Sequence, residues 1–207
     1  LFLGARLWKG AEFFFNPELA GGSGLSGALG VASSTNGETF RVGDPQPQFY
    51  SARVFLRQNI ALGGSVEQVD ADANVHAGHR PKDRITITVG KICMADLFDN
   101  NRYSHDPRTQ FLSWGLMDNG AWDYSANVRG YTPAFAVELF KGRNEFRYAF
   151  SLLPEEANGG TMNWDIGKSR GQMAEYVHNY KVGGHPGAVR VLAFLNTAGM
   201  GNYRESI

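Results

Sequence analysis

Residues 84–89 read RITITV, and their alternation decides the fold class. The isoleucines and the valine fall on one side of an extended chain, and the arginine and the threonines fall on the other side. A period of two is that of a β-strand with one apolar and one polar face. The same period recurs in SARVFLR (51–57) and EFRYAFSL (145–152), where an apolar face again lies opposite a face that carries arginine. The alternation therefore predicts an all-β protein.

Short links that contain glycine separate several of these runs, as antiparallel hairpins require. They lie at Lys9-Gly10, 141–144 and 183–187. With the remaining alternating runs they predict eight strands, many near ten residues long, over 1–8, 11–16, 49–60, 84–92, 130–140, 145–153, 171–182 and 188–196.

The other links are long and polar, and they cover 17–48, 61–83, 93–128 and 154–170. Short turns at one end and long loops at the other end are typical of outer-membrane barrels, and strands of about 9–11 residues can cross a bilayer at a tilt. In such a barrel the lumen face carries Arg6, Arg53, Arg57, Arg84, Thr86, Thr88, Glu145 and Arg147. The lipid face carries Val54, Leu56, Ile85, Ile87, Phe146, Tyr148 and Phe150.

A soluble β-sandwich or lectin-like carbohydrate-binding module is the alternative to a membrane barrel. In a sandwich two sheets bury their apolar faces against each other, and Arg53, Arg57 and Arg147 lie on the solvent surface. Arginines opposite clean apolar faces favour a wet lumen over a packed core, because an unpaired buried charge is costly.

The composition excludes several classes of protein. Lysine plus arginine equals aspartate plus glutamate at 20 each, so there is no general reason to expect nucleic acid as a partner. The single cysteine, Cys93, excludes an internal disulfide framework and a cysteine-based zinc cluster. No window approaches the ~20 apolar residues of a membrane-spanning helix.

Motifs that suggest catalysis or a bound cofactor fail on their context. GSGLSG (22–27) spells a dinucleotide-binding pattern, but no helix follows it, and a glycine-rich loop is favoured. Residues 70–74 imitate half of a calcium loop but lack its later glycine and glutamate. His76 and His79 lack further metal ligands nearby in the sequence. Glu155 and Glu156 with Asp165 leave a glycosidase as a weaker hypothesis, since the sequence sets no separation between them.

Residues 95–124 form a link too long, aromatic and charged to be an idle connector. Carboxylates, amides and flat aromatic rings together suit sugars, whose hydroxyls need hydrogen-bonding partners and whose C–H faces pack on rings. A folded plug whose polar groups satisfy one another explains the same composition. Both interpretations stay open.

Several stretches together resemble the carbohydrate-selective porins (OprB-type) of Gram-negative outer membranes. They are FFFNPE (13–18), GLSGALGVA, TNGE, ARVFLRQ (52–58), LFDNNRYSHDPRTQF (97–111), GAWDY (120–124), RGY (129–131) and PEEANG (154–159). The stretch 97–111 is long enough to be specific, and the resemblance runs over essentially the whole chain.

The resemblance implies an antiparallel transmembrane β-barrel of the porin type with about 16 strands. Residues 1–207 are then a single partial domain that contains about half of the strands of this barrel. It implies passive diffusion of sugars through the cell outer membrane, with lipid around the barrel, no catalysis, no cofactor and no metal. Residues 95–124 become an inward-folded constriction. The resemblance leaves the question of a homo-oligomer open. Family members are roughly twice this length, so the chain is expected to be a fragment of a longer gene product.

The candidates for contact with sugars or for lining the pore combine the lumen-facing arginines with polar and aromatic residues of 95–124. They are Arg6, Arg53, Arg57, Arg84, Asp96, Asp99, Asn100, Asp106, Arg108, Trp114, Trp122 and Arg147.

Overall fold

The computed structural model describes residues 1–24, 44–107, 109–111, 114–157 and 159–199, with Trp114 described in its backbone only. Within these residues the regular structure is β-strand, apart from two short 3-10 helical turns at Met94–Asp96 and Trp114–Leu116. No helix in this part of the chain has the length and hydropathy of a membrane span.

Eight strands form one antiparallel sheet in which neighbours along the chain pair with each other. They are β1 (Leu3–Trp8), β2 (Ala11–Ala20), β3 (Gln48–Ala61), β6 (Arg84–Ile92), β7 (Thr132–Lys141), β8 (Asn144–Ser151), β9 (Arg170–Val182) and β10 (His185–Thr197). A separate two-stranded hairpin, β4 (Val66–Val69) and β5 (Gly78–Pro81), lies between β3 and β6 in sequence. Within the described residues β1 and β10 each pair with one strand only, so the sheet is open at both edges.

The eight predicted strands are confirmed, with three differences apart from end shifts of one or two residues. β2 runs to Ala20, four residues beyond its predicted end at residue 16. The last turn needs only Gly183 and Gly184, whose φ values of 58° and 82° suit glycine, so β10 begins at His185 instead of residue 188. The link 61–83, expected to be a plain loop, contains the hairpin β4–β5. The described strands form one eight-stranded sheet and the small hairpin β4–β5, and not the two large packed sheets that a β-sandwich requires.

The strand registers give the sheet an apolar face and a polar face. One row across five strands of the apolar face is Phe13, Leu56, Val89, Phe135 and Phe150. A row on the polar face is Asn59, Thr86, Glu138, Arg147 and Glu175. Val89 and Phe135 are 46% and 45% exposed, so nothing in the described chain covers the apolar face there.

The antiparallel order places the connections at two different ends of the sheet. The two-residue turns after β1, β7 and β9 lie at one end, the short-turn end. The strand ends that are joined by 21–47, 93–131 and 152–169 lie at the other end, the long-loop end. The predicted asymmetry is therefore present. The exception is the segment 62–83, which leaves the short-turn end and is called the hairpin arm below.

The buried apolar cluster lies on the polar face of the sheet and not on the apolar face. Small or apolar residues of the sheet such as Ala134, Ala136 and Met173 meet Met94, Phe98 and other residues from the connection that follows β6. The core is thus built between the sheet and an infolded loop, and this packing positions the candidate site.

Candidate functional site

The segment 95–124, called the loop block below, is anchored to the sheet by its own apolar side chains. Phe98 is fully buried, and Trp122 is 6% exposed. The two rings lie 6.1 Å apart, and Tyr124 extends the aromatic group at 5.2 Å from Trp122. Burial raises the pKa of the Tyr124 phenol. Trp122, predicted to line the pore, therefore packs in the core that holds the block on the sheet.

Close approach of the sheet to the segment after the block depends on a glycine in β9. A Cβ atom built at Gly171 would lie 2.0 Å from Oγ of Ser125, which is far below a van der Waals contact. Ser125 is fully buried against this strand. Glycine at position 171 therefore leaves room for the buried Ser125 side chain against β9.

Arg147 stands at the centre of a charge cluster on the polar face. Its Nε lies 3.1 Å from Oε1 of Glu138, its Nη1 lies 2.9 Å from Oε1 of Glu175, and its Nη2 also donates to Glu145. Glu138 and Glu175 are the direct cross-strand neighbours of Arg147 in β7 and β9. Only 9% of the Arg147 side chain is exposed, and the carboxylates supply the partners that a buried guanidinium requires. The wet, lumen-facing arginine expected at this position is instead almost enclosed.

The same charge cluster ties the loop block to the sheet. Oε2 of Glu175 accepts a hydrogen bond of 2.7 Å from the backbone N–H of Asp99. One residue on, the carbonyl of Asn100 accepts a hydrogen bond of 2.8 Å from Nη2 of Arg190 in β10. Asp99 and Asn100, both predicted from the sequence, thus contact the wall of the sheet through their backbone groups.

Arg53 and Asp96 form a second clamp between the sheet and the block. Nε and Nη2 of Arg53 each lie 2.6 Å from one oxygen of Asp96, so the pair is bidentate. The Arg53 guanidinium also lies 5.0 Å from the ring centre of Tyr131. A bidentate pair orients both side chains more strictly than a single contact does. Both residues were predicted from the sequence, and the structure brings them together.

The described residues within 103–118, called the outer part of the block below, include two more of the predicted residues, Asp106 and Trp114. His105 Nδ1 lies 2.7 Å from Oδ1 of Asp118, and this hydrogen bond raises the pKa of His105. Asp106 accepts a hydrogen bond of 2.6 Å from the hydroxyl of Thr109. Trp114 begins a 3-10 turn, and Arg108 lies outside the described residues.

The hairpin arm folds back onto the polar face and takes up two of the predicted arginines. Arg57 donates from Nη1 to the carbonyl of Asn74 at 2.9 Å, and Arg6 donates to the carbonyl of Ala77. The tip, which the sequence offered as an incomplete calcium loop, is a tight turn closed by paired backbone hydrogen bonds of 3.1 and 3.0 Å between Asp72 and Val75. The signal missed in the sequence is this turn between short runs, Val66–Val69 and Gly78–Pro81.

Arg84 lies at the short-turn end beside the base of the arm. Its guanidinium carbon lies 3.7 Å from the ring centre of Phe140, and its Nη1 donates to the carbonyl of Pro81 at 3.0 Å. Glu67 of the arm lies 3.5 Å away. All the predicted lumen-facing arginines therefore lie on the polar face, but each contacts a block, an arm or a carboxylate.

The residues considered for metal binding or acid–base catalysis do not form a common site within the described chain. The described residues contain no group of three or more histidine, cysteine or acidic side chains able to hold a metal ion. His76 contacts Glu12, at 2.9 Å, rather than His79. Glu155, Glu156 and Asp165 are exposed.

A meander of antiparallel strands with an exposed apolar face, a charged second face and an infolded loop is consistent with the wall of a porin-type channel. The family model for carbohydrate-selective porins, OprB family, matches residues 4–207. The chain therefore belongs to the OprB family of carbohydrate-selective porins, and the predicted membership is confirmed. This is an outer-membrane family of Gram-negative bacteria whose members are transport channels and not enzymes. Comparison with curated proteins and with solved structures yields no match.

Proposed function

We propose that the protein is a passive, sugar-permissive channel of the outer membrane. The apolar face of the sheet contacts lipid, and the polar face borders the water-filled passage. The observation that carries this proposal is the strict division of the faces, with exposed Val89 and Phe135 on one side and the Arg147 cluster on the other. Family membership supports sugars as the solutes.

The sheet is proposed to belong to a closed porin-type barrel of about 16 strands, in which these eight form about half and residues 1–207 are one partial domain. The support is physical. β1 and β10 each have one unpaired side within the described chain, and lipid cannot satisfy the backbone N–H and C=O groups of an open edge. A homo-oligomer stays a prediction.

Selection is proposed to act by width, hydrogen bonding and local field at the loop block, without covalent chemistry. The block is held inward by Phe98, the Arg53–Asp96 clamp and the Asp99–Glu175 contact. Exposed aromatic rings of the block, Tyr103 and Phe111, offer flat faces to a sugar. The predicted lining residues therefore divide into those that hold the block and those on its surface.

Planar-bilayer recording with the intact protein purified from outer membranes tests the proposal. Added glucose or maltose is expected to reduce the ion current in a saturable manner, because a sugar bound at the constriction blocks ions. The alanine variant of exposed Tyr103 is expected to weaken the block by glucose, whereas that of Trp164, exposed in a different connection, is the matched control. A current that no sugar changes would contradict carbohydrate passage.

A further inference from the structure

The hairpin arm approaches the passage from the end opposite to the loop block. Asn74 at its tip accepts a hydrogen bond of 2.8 Å from Nδ2 of Asn16, which is five residues into β2 from Ala11. At the rise of an antiparallel strand this is a depth of about 17 Å along the sheet. The arm therefore lies along the polar face of β1–β3, whereas the contacts of the block described above reach from Arg53 in β3 to β10.

One histidine sets the position of the arm on this wall. The ring of His76 lies 4.9 Å from that of Phe14 at an interplanar angle of 27°, and its Nδ1 lies 2.9 Å from Oε1 of Glu12. On its other side, a Cβ atom at Gly4 would lie 2.8 Å from Nε2. The imidazole thus packs against β1 and β2, with a quarter of its side chain exposed.

A cavity of about 360 Å³ remains between the arm and the wall. Its volume lies within the range of small-molecule sites. Charged and polar side chains line it from both elements: Arg6, Lys9, Glu12, Arg57 and Asn59 from the strands and the turn after β1, and His76, His79 and Arg80 from the arm.

The cavity has an excess of positive charge. Arg80 is neutralised by Glu67 at 2.8 Å, and Glu12 is the one carboxylate of the lining. Arg6 and Arg57 flank Glu12 in register on β1 and β3 and bind backbone carbonyls of the arm. Within the described chain no carboxylate lies within 4.0 Å of either guanidinium. Each guanidinium carries five N–H donors, so donors remain for a ligand.

We infer that this cavity is a second sugar subsite, separate from the loop block, which prefers monosaccharides that carry a carboxylate. The inference rests on the proposed sugar channel. A guanidinium matches a carboxylate in shape and charge. Asn59 and His79 also line the cavity, where their side chains would form hydrogen bonds with ring hydroxyls of the sugar. The subsite would capture uronates at the short-turn end, where a neutral hexose gains only the hydroxyl contacts.

The test compares the block of ion current by glucuronate, glucose and acetate, each added to the short-turn side of the intact protein in planar bilayers. Glucuronate is expected to half-block at a roughly tenfold lower concentration than glucose, the ratio that one charge-assisted hydrogen bond supports. Acetate is expected to block weakly. Arg57→Gln and Arg6→Gln are each expected to bring the glucuronate and glucose values together.

Arg143→Gln is the matched control, since it removes one exposed charge from the turn after β7 at the same end without touching the cavity. Equal block by glucuronate and glucose in the unmodified protein would overturn the inference. Equal block by acetate and glucuronate, or an equal loss in Arg143→Gln, would also overturn it, because either result means general attraction of anions. A failure of glucose itself to change the current would contradict the proposed function instead. If Arg57→Gln does not fold, as judged by heat-dependent gel migration, Arg6→Gln on the exposed strand β1 decides.

Discussion

The loop block and the hairpin arm lie on the same polar face of the sheet, but different kinds of interaction attach them to it. The block contributes Phe98 and Trp122 to the buried apolar cluster and is clamped by charges of the sheet. The arm, described over its whole length, contributes no residue to that cluster. Its contacts with the sheet include hydrogen bonds from Arg6, Arg57 and Arg84 to backbone carbonyls of the arm. The Asn16–Asn74 hydrogen bond, the His76–Glu12 pair and the stacking of His76 on Phe14 add to them.

The two kinds of attachment predict that the loop block keeps its position on the sheet more strictly than the hairpin arm does. Burial of a phenylalanine side chain contributes about 2 kcal/mol, roughly twice the net contribution of a typical hydrogen bond. The block is therefore expected to behave as part of the wall. The arm is expected to open locally at a lower free energy. Three variants and one change of pH test this contrast. In each case the measurement is the hydrogen-exchange rate of the two segments in detergent, followed by mass spectrometry.

The largest effect is expected for Phe98→Ala. Removing a fully buried ring should destabilise the attachment of the block by about 4 kcal/mol, by loss of burial and by the cavity left behind. Exchange should accelerate in 95–124 and stay unchanged in 62–83. Phe111→Ala, at a ring that is 53% exposed in the same block, is the control. Equal acceleration in the arm would show that the two segments are one cooperative unit.

The next effect is expected for Arg147→Met. Three carboxylates lose their shared partner, and a buried ion pair broken on one side costs about 3 kcal/mol. The melting temperature of the purified protein should fall, and exchange should rise at 97–101 because Glu175 also holds the N–H of Asp99. Arg143→Met, at an exposed turn, should leave both unchanged. An unaltered melting temperature for Arg147→Met would mean that water already screens the cluster.

A smaller effect is expected for His76→Ala, and it should appear in the arm alone. Loss of the contact to Glu12 and of the stacking on Phe14 should raise the opening of 70–78 by about 1 kcal/mol. His79→Ala, at an exposed position three residues further along the arm, is the matched control for attachment. Unchanged hydrogen exchange of the arm would mean that Arg6 and Arg57, and not His76, hold the arm on the sheet.

The smallest effect is expected from pH, and it concerns the outer part of the block. The hydrogen bond to Asp118 raises the pKa of His105 above its ordinary value of 6.5. A raised pKa means that the contribution to stability is complete below 6.5 and is lost as the pH rises through the value in the folded protein. Protection of 104–118, corrected for intrinsic exchange, should therefore fall between neutral and alkaline pH. His105→Gln should remove this dependence. A loss of protection on acidification would contradict the assignment.

Much of the sheet was predictable because its signals are local. The alternation of RITITV predicted β6 with its bounds, and the glycine links predicted the hairpins. The motif within 95–124 carried the resemblance to the family whose model matches residues 4–207. The role of 95–124 as a constriction stays a prediction. The arm was missed because β4 and β5 have four residues each, too few for a period to be recognised.

The partners of the predicted site residues were not predictable for a different reason. Glu138, Arg147 and Glu175 become neighbours only through the register of three strands, and Asp96 meets Arg53 across 43 residues of chain. Trp122 looked like a pore residue because an aromatic side chain in a polar loop suits a sugar as well as a core. Only packing on Ala134 and its neighbours distinguishes the two.

The sequence by itself determined which residues share a face of each strand, since the backbone geometry sets the side-chain period of two without reference to the rest of the chain. It also determined the family through contiguous motifs. The tertiary structure decided what fills the polar face: a block anchored by Phe98 and an arm positioned by His76. Those contacts join segments far apart in the chain, and their free energy depends on close packing and burial, which no local pattern contains.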